Sequence, residues 1–168
     1  MHRNIFALIA APALLVPGSA PAHPDEPARG ARQRAVVTLP DDPEARRLRN
    51  DWLYADAVVS GDTAYLSGII AIPAAGETTP AAAFDKAFGR LTDRLAKIGC
   101  SWDDVVEMTS FHTDIDSQLP SFKMAMRKYI RPPFLAWTAV GVSRLAVPTG
   151  ITEIKLVAKS CSGRSVAK

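Results

Sequence analysis

The chain has 168 residues, 48% of them hydrophobic, 22% charged, and a formal net charge of +3. That length and apolar fraction suit one domain with a real core and argue against a disordered chain. The near-even charge balance, with no basic block interleaved with aromatics, argues against a nucleic-acid binder.

The segment "MHRNIFALIAAPALLVPGSAPAH" opens with Arg3 and continues as an apolar run from Ile5 to Val16. That run is too short to cross a bilayer. Ala20-Pro21-Ala22 then supplies small residues at cleavage spacing. The pattern predicts a secretory signal over residues 1–22, and so a periplasmic or secreted protein with no membrane association after cleavage. A retained anchor is the alternative. Removing Arg3 lowers the formal charge to +2. In an oxidising compartment Cys100 and Cys161 could pair, but spacing alone does not decide it, and two unpaired, half-buried thiols are the favoured expectation. No clustered His or Cys spacing suggests a metal.

Residues 23–50 are polar and proline-rich at first and read as a flexible leader, with "AVVTLP" a possible first strand. "DDPEARRLRND" reads only as a charged connection. The folded domain is expected over residues 51–160, followed by a tail over 161–168.

"YADAVVSGDTAYLSG" sets two β-rich runs around Gly61-Asp62, which predicts a hairpin of Ala55–Ser60 with Thr63–Ser67. In "TTPAAAFDKAFGRLTDRLAKIG", Thr79 is the expected N-cap, with Pro80 at the first helical position. Phe84, Phe88, Leu91, Leu95 and Ile98 form one apolar stripe, and Gly99 ends the helix. Val105 to Thr113 is β-branched and aromatic, a strand. A second helix carries Leu119, Phe122, Met126 and Tyr129 on one face, with Pro120 in its first turn and Pro132-Pro133 beyond its end. Phe134–Ser143 and Ile151–Lys159 close the chain as strands.

This order predicts an α+β two-layer sandwich with both helices on one face of a single sheet. Alternation along the last strand turns Ile154, Leu156 and Ala158 to the core and Ile151, Glu153, Lys155 and Val157 away. Alternation in the preceding strand groups Trp137, Ala139 and Gly141 against Thr138, Val140 and Val142. The first set is expected on the helix-free face. A face carrying Trp, Ile, Val and one carboxylate is too apolar for water and predicts a symmetric subunit interface.

"YADAVVSGDTAYLSG", "KIGCSWDDVVEMTSFHTD" and "AWTAVGVSRLA…ITEIKLVA" resemble the Rid (YjgF/UK114-like) family over about residues 53–159. The resemblance implies a chorismate-mutase-like fold with one mixed sheet, a homotrimer, and small-molecule clefts between subunits. In deaminase members such clefts hydrolyse enamines and imines without metal or cofactor. An arginine there holds the substrate carboxylate and a glutamate positions water. Carried onto this chain, Glu153 matches the glutamate, Ser67 the serine and Tyr54 the tyrosine. The arginine position falls on Trp137, with Ala139 beside it, and an asparagine on the second helix becomes Lys123.

An indole has one neutral N–H where a guanidinium has a charged fork. The expectation is therefore an enamine/imine deaminase-like hydrolase with altered substrate. A non-catalytic trimeric ligand-binding protein is the alternative. The ribonuclease or translation-inhibitor roles described for some members fit the near-neutral charge less well. Glu153 is equally readable as an interface carboxylate, Ser67 as a hairpin-end hydroxyl and Tyr54 as an interface aromatic. His112 lacks a catalytic partner by spacing and reads as structural.

Overall fold

The computed structural model describes residues 43–159 and the backbone of Ala35–Val37. The elements run β1 (Ala35–Val37), α1 (Pro43–Trp52), β2 (Ala57–Ser60), β3 (Thr63–Ala71), α2 (Ala81–Lys97), β4 (Val105–His112), α3 (Ile115–Met126), β5 (Ala136–Gly141) and β6 (Thr152–Lys159). One six-stranded mixed sheet has the order β1-β2-β3-β6-β4-β5. Only β4 and β5 are parallel neighbours. A parallel pair cannot be joined by a tight turn, and α3 provides the crossover.

All five stripe residues of α2 are buried. Phe84 and Phe88 each meet Phe122 of α3 at 5.4 Å between ring centroids. These rings lie on Leu66, Ile69, Met108, Ile154 and Leu156, which form one buried cluster with both helices. Each such side chain contributes about 1.5–3 kcal/mol by leaving water. Gly99 takes a φ of +74°, and the N–H groups of Gly99 and Cys100 donate to Ala96 and Leu95, closing α2 with a Schellman turn.

Four local expectations are corrected. "DDPEARRLRND" contains α1, so ordered structure begins before residue 51. Its last turn is sealed by Leu53 at φ +55° and by the Tyr54 N–H donating to the Arg49 carbonyl. Thr79 does not cap α2, because Pro80 occupies the cap position without any side-chain bond. Pro120 sits inside α3 rather than in its first turn, and Asp114 caps that helix through the Ser117 N–H. Cys100 is buried and disulfide-bonded, against the favoured expectation of free thiols. Cys161 and the signal segment, residues 1–22, lie outside the described residues.

Candidate functional site on the helix-free sheet face

The register between β3 and β6 slips between Leu66 and Ile69. Two residues, Ser67 and Gly68, therefore face one stretch of β6, a β-bulge. The Ser67 N–H donates to the Asp56 carbonyl at 2.9 Å, and its hydroxyl donates to the Ala55 carbonyl at 2.5 Å. Glu153 of β6 lies directly over Gly68: an added Cβ there would stand 1.9 Å from its Oε1. The missing side chain of Gly68 makes the seat for the Glu153 carboxylate.

Glu153 is half-buried and has no hydrogen-bond or ion-pair partner among the described residues. Ile70 of β3 and Phe111 of β4 stand opposite it, with Val140 of β5 beyond Phe111. Lys155, exposed and two residues along β6, pairs with Thr109, which pairs in turn with Thr138. The face thus offers an uncommitted carboxylate in an apolar row beside an exposed ammonium. A carboxylate so placed can take a proton from water and return it.

The structure brings Ser67 and Glu153 to the same bulge. Tyr54 is exposed and adjoins Ala55, the acceptor of the Ser67 hydroxyl. Trp137 and Ala139 do not join them. The Trp137 ring stacks on Phe122 at 5.7 Å and 27°, and its Nε1 donates to the buried Ser110 Oγ at 2.9 Å. Trp137 therefore points into the helix layer. The physical reason is register: Trp137 pairs with Met108, a core residue, and Ala139 pairs with buried Ser110. The helix-free side of β5 carries Ala136, Thr138 and Val140, none of them charged. The expectation that Trp137 and Ala139 line the helix-free face is thereby corrected.

Behind Trp137 runs a chain of polar groups whose proton order is determined. Gln118 Nε2 donates to Thr113 Oγ1 at 3.1 Å, so Gln118 Oε1 is the acceptor of the Thr152 hydroxyl at 3.1 Å. Thr152 has one proton, so it must accept from His112 Nδ1 at 3.0 Å. His112 is then the neutral Nδ1–H tautomer, and its Nε2 accepts from Ser110 at 2.9 Å. Thr113 in turn donates to the Ile151 carbonyl at 3.1 Å. Burial pushes the His112 pKa down, partly opposed by Gln118. His112 is structural, as its spacing suggested.

Sequence reasoning missed a second buried cluster. Asp56 accepts from Arg49 Nε and Arg94 Nη2, each at 2.8 Å, tying α1 to α2. Arg94 Nη1 also donates to the Ser67 carbonyl at 3.0 Å, which supports the bulge from below. Burial lowers the Arg94 pKa and Asp56 opposes the change. The available signal was Arg94 itself, three residues after Leu91 on the apolar stripe of α2.

These features define a small α+β sandwich with a polar site embedded in its helix-free face. Residues 45–160 match the sequence profile of the family described as Endoribonuclease L-PSP (Ribonuc_L-PSP), and the chain belongs to that family. It is 38% identical over 112 residues to the RutC family protein YjgH of Escherichia coli (strain K12), covering 63% of this chain and 82% of that protein. A solved structure of protein YJGH superposes with a TM-score of 0.62 at 33% identity, covering 74% of this chain and 94% of the other. A YjgF/YER057c/UK114 family member from Mycobacterium tuberculosis gives a TM-score of 0.63 over 75% of this chain and 98% of its own, at 21% identity. The chain has the chorismate-mutase-like fold of these proteins.

Proposed function

We propose that this protein is a cofactor-independent hydrolase of enamine- or imine-type small molecules, acting as an exported homotrimer. Its substrates lack the carboxylate that an arginine on β5 would hold. The observation that carries this is Glu153, a half-buried carboxylate without a partner, seated over Gly68 on the helix-free face. The altered substrate is supported by Trp137 at the position matched to the arginine, an indole whose one N–H already donates to Ser110 Oγ.

Assembly is supported by the same face. Val140 is exposed there at the end of the row through Ile70, Glu153 and Phe111, and exposed Tyr65 stands opposite Val157. An apolar sheet face of this kind favours a symmetric partner copy. A sedimentation mass of one subunit would remove the inter-subunit cleft and the proposal with it.

The functional test offers the purified protein two imine series, one from amino acids and one from the corresponding carboxylate-free amines. Turnover of the second series, abolished in Glu153→Gln, is the expected result. Equal rates for native protein and variant would overturn the catalytic role. A second reading, a trimeric binder without turnover, is favoured by the Ser67 hydroxyl, whose proton is already committed to Ala55. Ligand binding that survives in Glu153→Gln without turnover in either form would select it.

A further inference from the structure

The β3–β6 register skips Ser67 and Gly68, so the strand ladder does not fix the bulge that seats Glu153. We propose that Arg94 of α2 and Asp56, just ahead of β2, are positioning residues that set this bulge and so hold the Glu153 carboxylate in place. Their effect on turnover rests on the hydrolysis proposed above; their hold on the bulge does not.

A closed ring of bonds carries the assignment. The Ser67 N–H donates to the Asp56 carbonyl at 2.9 Å, and Arg94 Nη1 donates to the Ser67 carbonyl at 3.0 Å. Arg94 Nη2 then meets Asp56 Oδ1 at 2.8 Å, so the ring starts and ends on Asp56. With its hydroxyl on the Ala55 carbonyl, every polar group of Ser67 is committed. Gly68 follows through the planar peptide that it shares with Ser67. The depth of Gly68 in turn sets the seat of Glu153.

Stability alone does not account for Arg94. It is buried between Leu91 and Leu95 on the packed side of α2. Removing a guanidinium from water is costly, and buried ion pairs are often matched or bettered by apolar side chains of similar volume. What an apolar side chain cannot do is grip a main-chain carbonyl and a carboxylate at once, as the planar fork of arginine does. Arg49 provides the contrast within the same cluster. Its Nε also meets Asp56, at Oδ2 and 2.8 Å, but it makes no bond to Ser67 or Gly68 among the described residues. Its Nη2 is buried without any hydrogen-bond partner there. Arg49 fastens α1 to Asp56, whereas Arg94 fastens Asp56 to the bulge.

The test compares Arg94→Met, Arg94→Lys and Arg49→Met in the full chain. Each Met variant takes one cation from Asp56, so both are expected to melt at lower temperature, and Tm does not tell them apart. Amide exchange and the carboxyl-carbon resonance of Glu153 do. In Arg94→Met the Ser67 amide should lose about tenfold in protection relative to the other β3 amides, and the Glu153 resonance should move. In Arg49→Met both should match the native chain. Arg94→Lys keeps the charge but cannot span both acceptors, so it should fall between native and Arg94→Met, and it decides the matter should Arg94→Met not fold. With an imine substrate, Arg94→Met should lower kcat by about 10–100-fold at unchanged KM, because Arg94 acts through the bulge and touches no substrate. Native Ser67 exchange with an unmoved Glu153 resonance in Arg94→Met, the same changes in Arg49→Met, or native behaviour of Arg94→Lys would overturn the inference. A native protein that consumes no imine overturns the hydrolysis alone, since Ser67 exchange and the Glu153 resonance still decide the positioning.

Discussion

Replacing Gly68 with alanine separates site from scaffold. The new Cβ would lie 1.9 Å from Glu153 Oε1, 2.6 Å from Cδ and 2.7 Å from Cγ, so the whole Glu153 side chain must leave its seat. The backbone itself accepts alanine, because Gly68 is not among the glycines with positive φ. Forcing one half-exposed side chain into another rotamer costs about 0.5–1.5 kcal/mol. Alanine returns about 0.5–1 kcal/mol through lower chain entropy in a strand. The net change is about 1 kcal/mol or less, a few degrees in Tm. Glu153-dependent turnover should nevertheless fall to the level of Glu153→Gln. The assay pairs a thermal melt with imine consumption, and Glu153→Ala in the Gly68→Ala background should recover the lost stability but not the activity. Native turnover in Gly68→Ala, or a stability loss that Glu153→Ala does not relieve, would refute the placement of this carboxylate over the bulge.

Other substitutions probe the remaining clusters. Trp137→Arg places a charge in the helix layer and should cost about 3–5 kcal/mol by urea denaturation, with no gain in imino-acid deamination. Thr138→Arg puts the guanidinium on the Glu153 face, should leave stability within about 1 kcal/mol, and should raise turnover of amino-acid-derived imines. Asp56→Ala strands two buried guanidinium groups and should lose about 3–5 kcal/mol, measured by chemical denaturation. Because burial lowers the His112 pKa, the unfolded chain binds this proton first. Its contribution is complete above about pH 6.5 and is lost as pH falls from there toward the folded value. Denaturation midpoints from pH 7.5 to 5 should show that decline, and a flat profile would contradict the buried neutral tautomer.

The fold was legible where one period dominated. The α2 stripe, the Gly99 stop and the alternation of β6 all stood out, and Glu153 was assigned to the correct face. In β5 the two alternating sets, Trp137 with Ala139 and Thr138 with Val140, are both free of charge. Period alone cannot say which of them meets the helices. The parallel register that pairs Trp137 with Met108 decides it, and a crossover register is a long-range property. Helix α1 was illegible for a related reason: Leu48 and Trp52 are about half exposed, so no apolar stripe announces it. What fastens it is the ion pair from Arg49 to Asp56, a contact that hydrophobic periodicity does not report.

The hydrogen bonds from the Trp137 indole through Ser110, His112, Thr152, Gln118 and Thr113 all point the same way, each group giving its proton to the next. Such an array is polarised as a unit. Its interior members cannot drift one at a time, because any replacement that turns a giver into a taker leaves two protons, or two lone pairs, confronting each other in a dry interior. Tolerated changes should accordingly appear at the two ends or in matched pairs, which makes this seam a barrier to piecemeal redesign of the surrounding core.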